Sequence, residues 1–256
     1  MAGFSSCIGL RRVGKSASLR VIAIHSAGAD ASMYNRLFSE IDGKEALDLI
    51  SVQLPGRAHR INESLGSNFF GVVESIYDEL LTVVKDGMPM AFLGYSMGAA
   101  IAFELALKFQ ISNWPVYKLI LCARYAPSYE SMVFDRSALS DEELLDIISD
   151  LGGTPEEILH NRTLMDYYIK IIRADFSLIY NYRRSPEFKI NSPIYSLAGI
   201  YDKEAPLQGV EKWSEFTTQK FELVLFESGH FFINSDHKLF LNCINGIIQD
   251  NVRIKQ

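Results

Sequence analysis

Pro89-Met-Ala-Phe-Leu-Gly94-Tyr95-Ser96-Met97-Gly98-Ala99-Ala100-Ile-Ala-Phe-Glu-Leu-Ala106 is the stretch on which the reading of this chain turns. Met90 to Leu93 is an apolar run with the length of a buried strand. From Ala99 to Phe109 the segment is rich in alanine and free of helix breakers, so it reads as a helix. Between them stands Gly94-x-Ser96-x-Gly98, the pattern of a nucleophile elbow, in which a strand reverses directly into a helix. Such a turn brings backbone against backbone and leaves no room for a Cβ at either glycine. It holds the serine at the apex in a strained conformation, with its hydroxyl exposed. The positive end of the following helix favours the negative charge that develops during nucleophilic attack. A structural turn would use the same glycines, and the flanking strand and helix favour the catalytic reading.

Outward from this stretch, strand and helix alternate. Leu19 to Ile24 reads as a strand, ending in His25-Ser26-Ala27-Gly28-Ala29-Asp30, with a helix from about Ser32 to Ile41. Leu47 to Leu54 is the next strand, stopped by Pro55-Gly56. Asn68 to Lys85 has amphipathic helical spacing, and Lys118 to Ala123 is a further apolar strand. A short edge strand is expected near Cys7 to Val13. This alternation predicts an α/β class with a mostly parallel, doubly wound sheet flanked by helices.

From Ser137 to about Tyr182 the spacing is helical throughout. Ser140-Asp-Glu-Glu143 is a capping box, and Gly152-Gly153 ends the helix that follows. Thr154-Pro155-Glu156-Glu157 has the signals of another helix start. A longer helix carries Leu164, Tyr168, Ile171, Ile172, Phe176 and Ile179. Helices inserted between two sheet strands read as a lid, against the alternative of ordinary core helices. The expected division is a core of residues 1–136 and 186–256 and a helical lid of residues 137–185. The sheet resumes at Pro193 to Gly199. A helix near Gly209 to Phe216, a strand from Phe221 to Phe226 and a helix from Asp236 to about Gln249 complete the chain.

A serine nucleophile needs a general base within hydrogen-bond reach and an acid that orients the base. In an α/β-hydrolase fold the order along the chain is serine, acid, histidine, with each at the C-terminal end of a strand. Of the five histidines, His25 and His59 precede Ser96, His160 lies in the helical block and His237 suits the first turn of the last helix. His230 directly follows a strand. Asp202 ends the penultimate strand, whereas Asp236 and Asp250 come too late and Asp135 to Asp175 lie in or beside the lid. Elimination leaves Ser96, Asp202 and His230. Two backbone N–H groups should meet the oxyanion, that of Met97 and one from the loop after the first central strand. Ala27 is the choice there and Ser26 the alternative.

The chain has 256 residues and a formal charge of −6, enough length for one large core and a balance that argues against a nucleic-acid surface. Its three cysteines, Cys7, Cys122 and Cys243, have no metal-ligand spacing, and Cys122 lies in an apolar run as a buried thiol would. A reducing cytoplasm is the expectation. The N-terminus has no signal-peptide pattern, and no apolar stretch is long enough to span a membrane. Arg57 has three readings: support of the lid or elbow, a structural salt bridge and substrate contact. Arg124 and Arg183-Arg184 read as solvated surface, with an acidic partner as the alternative.

Gly94-Tyr-Ser-Met-Gly98-Ala99, Leu54-Pro-Gly-Arg57 with Arg60, Leu151-Gly-Gly-Thr-Pro155, Arg173-Ala-Asp-Phe176 and Gly229-His-Phe-Phe232 together resemble the type II thioesterases. These are stand-alone α/β-hydrolases that accompany nonribosomal peptide and polyketide synthases, and the resemblance runs from about Arg20 to Phe232. It implies hydrolysis of acyl or peptidyl thioesters from the phosphopantetheine arm of carrier proteins, including misloaded groups, by a monomer that needs no metal or other cofactor. It also implies a mobile lid over an acyl channel, for which Tyr168, Ile172 and Phe176 share one helical stripe. Two positions depart from the family pattern: Tyr95 replaces the usual histidine, and His25-Ser26-Ala27-Gly28-Ala29 replaces P-H-A-G-G. A lipase or carboxylesterase of the same fold is the competing enzyme reading, and a non-catalytic binding protein the competing class.

Overall fold

In the computed structural model, which describes residues 6–130, 135–154 and 161–249, the apolar runs become strands. These are β1 (Ile8–Val13), β2 (Leu19–Ile24), β3 (Leu47–Val52), β4 (Met90–Tyr95), β5 (Val116–Cys122), β6 (Ile194–Gly199) and β7 (Phe221–Phe226). The helices are α1 (Asn35–Glu40), α2 (Phe69–Leu81), α3 (Met97–Ile111), α4 (Asp141–Leu151), α5 (Arg162–Tyr180), α6 (Leu207–Glu211), α7 (Phe232–Ser235) and α8 (His237–Gln249). The strands form one sheet in the order β1-β3-β2-β4-β5-β6-β7. β1 runs antiparallel to β3, and every other pairing is parallel. This is the mostly parallel, helix-flanked α/β sheet expected from the alternation, in the α/β-hydrolase arrangement expected from the elbow and the family resemblance.

The central strands are apolar on both faces because both faces are covered. Ile22, Ile24, Phe92, Leu119 and Leu121 point into one core, which they share with α2, α3, Trp213 and Phe216. Their neighbours Val21, Ala23, Leu93, Ile120 and Cys122 point into the other, with Tyr34, Phe38, Phe232, Phe240 and Ile244. The alternation of side chains along each strand thus sorts one continuous apolar run into two cores. The chain leaves β2 toward β3 on one side and leaves β4 toward β5 on the other. The loops after β2 and β4 therefore part, and they open the crevice at the C-terminal edge where parallel sheets bind ligands.

Some elements are shorter than their sequence patterns. α2 stops at Leu81, and the β-branched Thr82, Val83 and Val84 continue as one turn folded back on Glu79 and Leu80. The segment near Gly209 to Phe216 divides into α6 and a 3₁₀ turn, Lys212–Phe216. In the helical insertion, Ser140 and Glu143 close the expected capping box and Gly152 ends α4 at φ 69°. The helix start expected at Thr154-Pro155-Glu156-Glu157 lies outside the described residues from Pro155 on. α4 and the first half of α5 share a small cluster of their own, Leu144, Ile148, Met165, Ile169 and Ile172. Leu178 and Ile179, near the end of α5, belong to the main core. Leu164 in its first turn is exposed.

Candidate active site

Ser96 stands between β4 and α3 at φ 52°, ψ −115°, a region that non-glycine residues seldom adopt. Its N–H donates to the Cys122 carbonyl at 2.8 Å, which ties the turn to the end of β5. The glycine requirement is steric. A Cβ on Gly94 would lie 2.3 Å from the Gly98 carbonyl oxygen, and one on Gly98 would lie 2.1 Å from that of Ile24. α3 can begin directly beneath Ser96 only because both positions lack a side chain.

The three residues separated by elimination meet here. His230, in the loop after β7, has Nε2 3.0 Å from Ser96 Oγ and Nδ1 2.8 Å from Asp202 Oδ2. Asp202, after β6, accepts the N–H groups of Glu204 and Ala205 on its other oxygen at 2.8 and 3.2 Å. Those two bonds fix the carboxylate, so the carboxylate fixes the ring. With Nδ1–H donating to Asp202, Nε2 is the lone pair that accepts the serine proton. His230 and Asp202 are both buried.

Ser96, Met97, Ala27 and His230 all border a cavity of about 350 Å³. Neither the Ala27 nor the Met97 N–H finds an acceptor among the described residues, so both remain available to a developing oxyanion. Ser26 lines the same cavity. The Gly28 N–H is engaged, since it donates to Asp175 Oδ2 on α5 at 2.8 Å. Tyr168, Ile172 and Phe176 border the cavity from α5, with Ile148 from α4 and Met165 deeper in the insertion.

The Arg57 guanidinium turns out to be a structural partner. It holds Asp175 through two bonds of 2.6 and 2.7 Å and donates to the Ala29 carbonyl, with both side chains buried. Arg57 and Asp175 had been visible only as members of two separate motifs, and the fold joins them on the loop that carries Ala27. Tyr95 points away from the cavity into the opposite core. Its hydroxyl donates to the His230 carbonyl at 2.7 Å, and its ring stacks on Phe231. Cys122 is fully buried beneath the elbow, and burial pushes its thiol pKa well up, as expected for an inert thiol.

Two of the arginines read as solvated surface are not. Arg184 pairs with the buried Glu104, which also accepts the Tyr182 hydroxyl. Arg124 lies on the cavity wall. The signal that could have found it is the one that found Asp202 and His230, a polar residue just past the C-terminal end of a parallel strand.

The family model described as the thioesterase domain matches residues 19–248. Among similar proteins is the gramicidin S biosynthesis protein GrsT of Aneurinibacillus migulanus, 34% identical over 222 residues, which cover 86% of this chain and 85% of that one. The solved structure of the type II thioesterase BorB from the borrelidin biosynthetic cluster superposes with a TM-score of 0.81. It is 30% identical, over 91% of this chain and 94% of that one. ClbQ, from the colibactin NRPS/PKS pathway, superposes with a TM-score of 0.84 over 91% of this chain and 98% of that one. At 24% identity, this last likeness concerns the fold alone.

Proposed function

Because the chain belongs to the thioesterase-domain family, we propose that it hydrolyses acyl or peptidyl thioesters from the phosphopantetheine arm of carrier-protein domains, with Ser96, His230 and Asp202 as its catalytic residues. The observation that carries this reading is the chain of bonds from Ser96 Oγ to His230 Nε2 and from His230 Nδ1 to Asp202, opening on a cavity beside two unengaged N–H groups. Ser96 Oγ attacks the thioester carbonyl while His230 Nε2 takes its proton. The oxyanion accepts hydrogen bonds from the Ala27 and Met97 N–H groups. The C–S bond then breaks, and His230 returns the proton to the departing sulfur. A thiol with a pKa of about 8.5 leaves with less proton donation than an amine requires. Water enters, gives its proton to His230 and attacks the acyl-enzyme, and Ser96 recovers its proton as the acid leaves.

The biosynthetic settings named for GrsT and BorB support service to a peptide or polyketide synthase, with removal of misloaded groups as the task. The same reading has the enzyme acting as a monomer in the cytoplasm, beside its synthase, with no cofactor. Among the described residues no helix is long and apolar enough to cross a membrane. Helices α4 and α5 serve in it as a lid whose inner stripe, Tyr168, Ile172 and Phe176, contacts the acyl chain.

The test compares one acyl group carried as a pantetheine thioester, as a carrier-protein thioester and as a simple alkyl ester. The carrier-protein thioester is expected to have the highest kcat/KM. Ser96→Ala should lower turnover by about four to six orders of magnitude, and Asp202→Asn by about four, because it permits the wrong histidine tautomer. Preference for the alkyl ester would make the chain an esterase. Near-normal turnover in Ser96→Ala would remove the proposed nucleophile.

A further inference from the structure

Four charged side chains border the cavity: Asp30, Arg124, Arg136 and Glu204. Three of them have work within the fold. Arg136 and Glu204 pair with one another, and Asp30 caps the turn at Ala31–Tyr34. Arg124 differs. Its backbone carbonyl accepts the Trp213 indole N–H, but among the described residues its guanidinium forms no hydrogen bond and no ion pair. The Tyr125 ring centre lies 4.2 Å from its Cζ, and the Glu204 charge acts on it without an ion pair.

The Tyr125 contact is of the cation–π kind and engages none of the guanidinium's N–H donors in a hydrogen bond to a side-chain oxygen. Arg124 is half-buried, and a partly desolvated guanidinium gains from an anion that its N–H donors can reach. Burial depresses the Arg124 pKa, opposed by Tyr125, Tyr182 and the Glu204 charge and aided by the Arg183 charge. The backbone explains why it stays there. Ala123, at φ 52°, turns the chain immediately after β5, and the carbonyl of Cys122 holds the N–H of Ser96. Arg124 thus leaves the sheet at the same edge as the nucleophile. A guanidinium fork matches the paired oxygens of a carboxylate or a phosphate.

We infer that Arg124 is an anion subsite of the acyl cavity and binds a carboxylate or phosphate oxygen of the thioester substrate. The inference rests on the thioesterase reading and adds to it a class of substrate group. That oxygen belongs either to an acyl chain ending in a carboxylate or to the phosphate of the pantetheine arm, and one set of four substrates tells them apart. Malonyl and isovaleryl groups match in shape and differ in charge. Each is carried on pantetheine and on 4′-phosphopantetheine, and kcat/KM is measured for the wild type, Arg124→Met and Arg124→Lys.

If the acyl carboxylate is the ligand, Arg124→Met lowers the malonyl-to-isovaleryl ratio about ten-fold or more on both arms. If the arm phosphate is the ligand, the ratio of phosphorylated to unphosphorylated arm falls by that factor for both acyl groups. Arg124→Lys, which keeps the charge and loses the fork, should fall between wild type and Arg124→Met in the same ratio. Ratios unchanged within about two-fold in both variants, whatever the overall rate, overturn the subsite. Thermal melts and fluorophosphonate labelling of Ser96 identify a variant that has failed to fold, and Arg124→Lys then decides alone. Wild-type protein inactive on all four thioesters would instead defeat the thioesterase reading itself.

Discussion

At the scale of single residues, the site depends on side chains that never reach the substrate. The Tyr95 hydroxyl lies in the core opposite the cavity. It donates to the His230 carbonyl and accepts the Ile233 N–H at 3.4 Å, so one oxygen holds the loop on both sides of Phe231. Burial keeps this phenol protonated by raising its pKa far above the ordinary value. Tyr95→Phe retains the stacked ring and leaves the His230 carbonyl without its donor, at a cost of about 1–3 kcal/mol. The expected outcome is that much loss in urea unfolding, with a fall in kcat at unchanged KM, since His230 would be held less firmly while the acyl pocket stays intact. A variant with wild-type kcat would mean that Asp202 alone orients the histidine.

At the scale of elements, α5 has two separate attachments. Its last turns are rooted in the main core through Leu178 and Ile179, and its middle is pinned to the loop after β2. Asp175 accepts from both Arg57 and the Gly28 N–H. Ile172 lies so close over Gly28 that a Cβ there would meet its Cγ1 at 2.5 Å. The middle of α5 is therefore a fixed wall, and any opening among the described helices of the insertion falls to α4. Asp175→Ala would leave the Arg57 charge buried without its partner, a loss of about 3–5 kcal/mol. Denaturant unfolding should show that loss, with kcat reduced even where the variant is fully folded, because the loop bearing Ala27 is released. A loss below about 1 kcal/mol would indicate a pair screened by solvent. Acyl selectivity is better tested at Tyr168, which borders the cavity without pressing on Gly28. Tyr168→Ala should raise octanoyl over propionyl kcat/KM several-fold, as added apolar contacts discriminate by about 1–3 kcal/mol per methylene. An equal change for both chains would remove Tyr168 from the acyl wall.

At the scale of the whole molecule, acid stability carries the mark of His25. It is fully buried under the elbow, with Nδ1 2.8 Å from the Ser26 carbonyl and Nε2 without a partner among the described residues. Burial, and then the Arg57 charge, lower its pKa to about 4, against about 6.5 in the unfolded chain. Above pH 6.5 the ring is neutral in both states and contributes no pH dependence. Between about 6.5 and 4 only the unfolded chain takes up the proton, so stability falls as the pH falls, by about 3 kcal/mol in total. Unfolding free energies measured across this window should follow that slope in the wild type, and His25→Asn should flatten it. An unchanged slope in the variant would assign the acid lability to other groups.

Much of this was legible in the chain itself. The elbow, the order of serine, aspartate and histidine, and the alternation that builds the sheet depend on local spacing and on strand ends, which neighbouring residues determine. The resemblance to the thioesterases rested on the same short-range motifs. Which distant side chains meet was not legible. Arg57 and Asp175 stood in two recognisable motifs, yet nothing in either motif says that they share a bond. Tyr95 read as a departure at the elbow and proved to be a support for the histidine loop. Arg184 and Arg124 read alike as surface charge, but one closes on a buried glutamate and the other faces the cavity. The physical reason is that periodicity assigns a residue to a face or an edge, while its partner depends on sheet order and on where the inserted helices come to rest. Backbone geometry thus decided the chemistry of Ser96 from its immediate neighbours, and only the packed molecule decided what surrounds it.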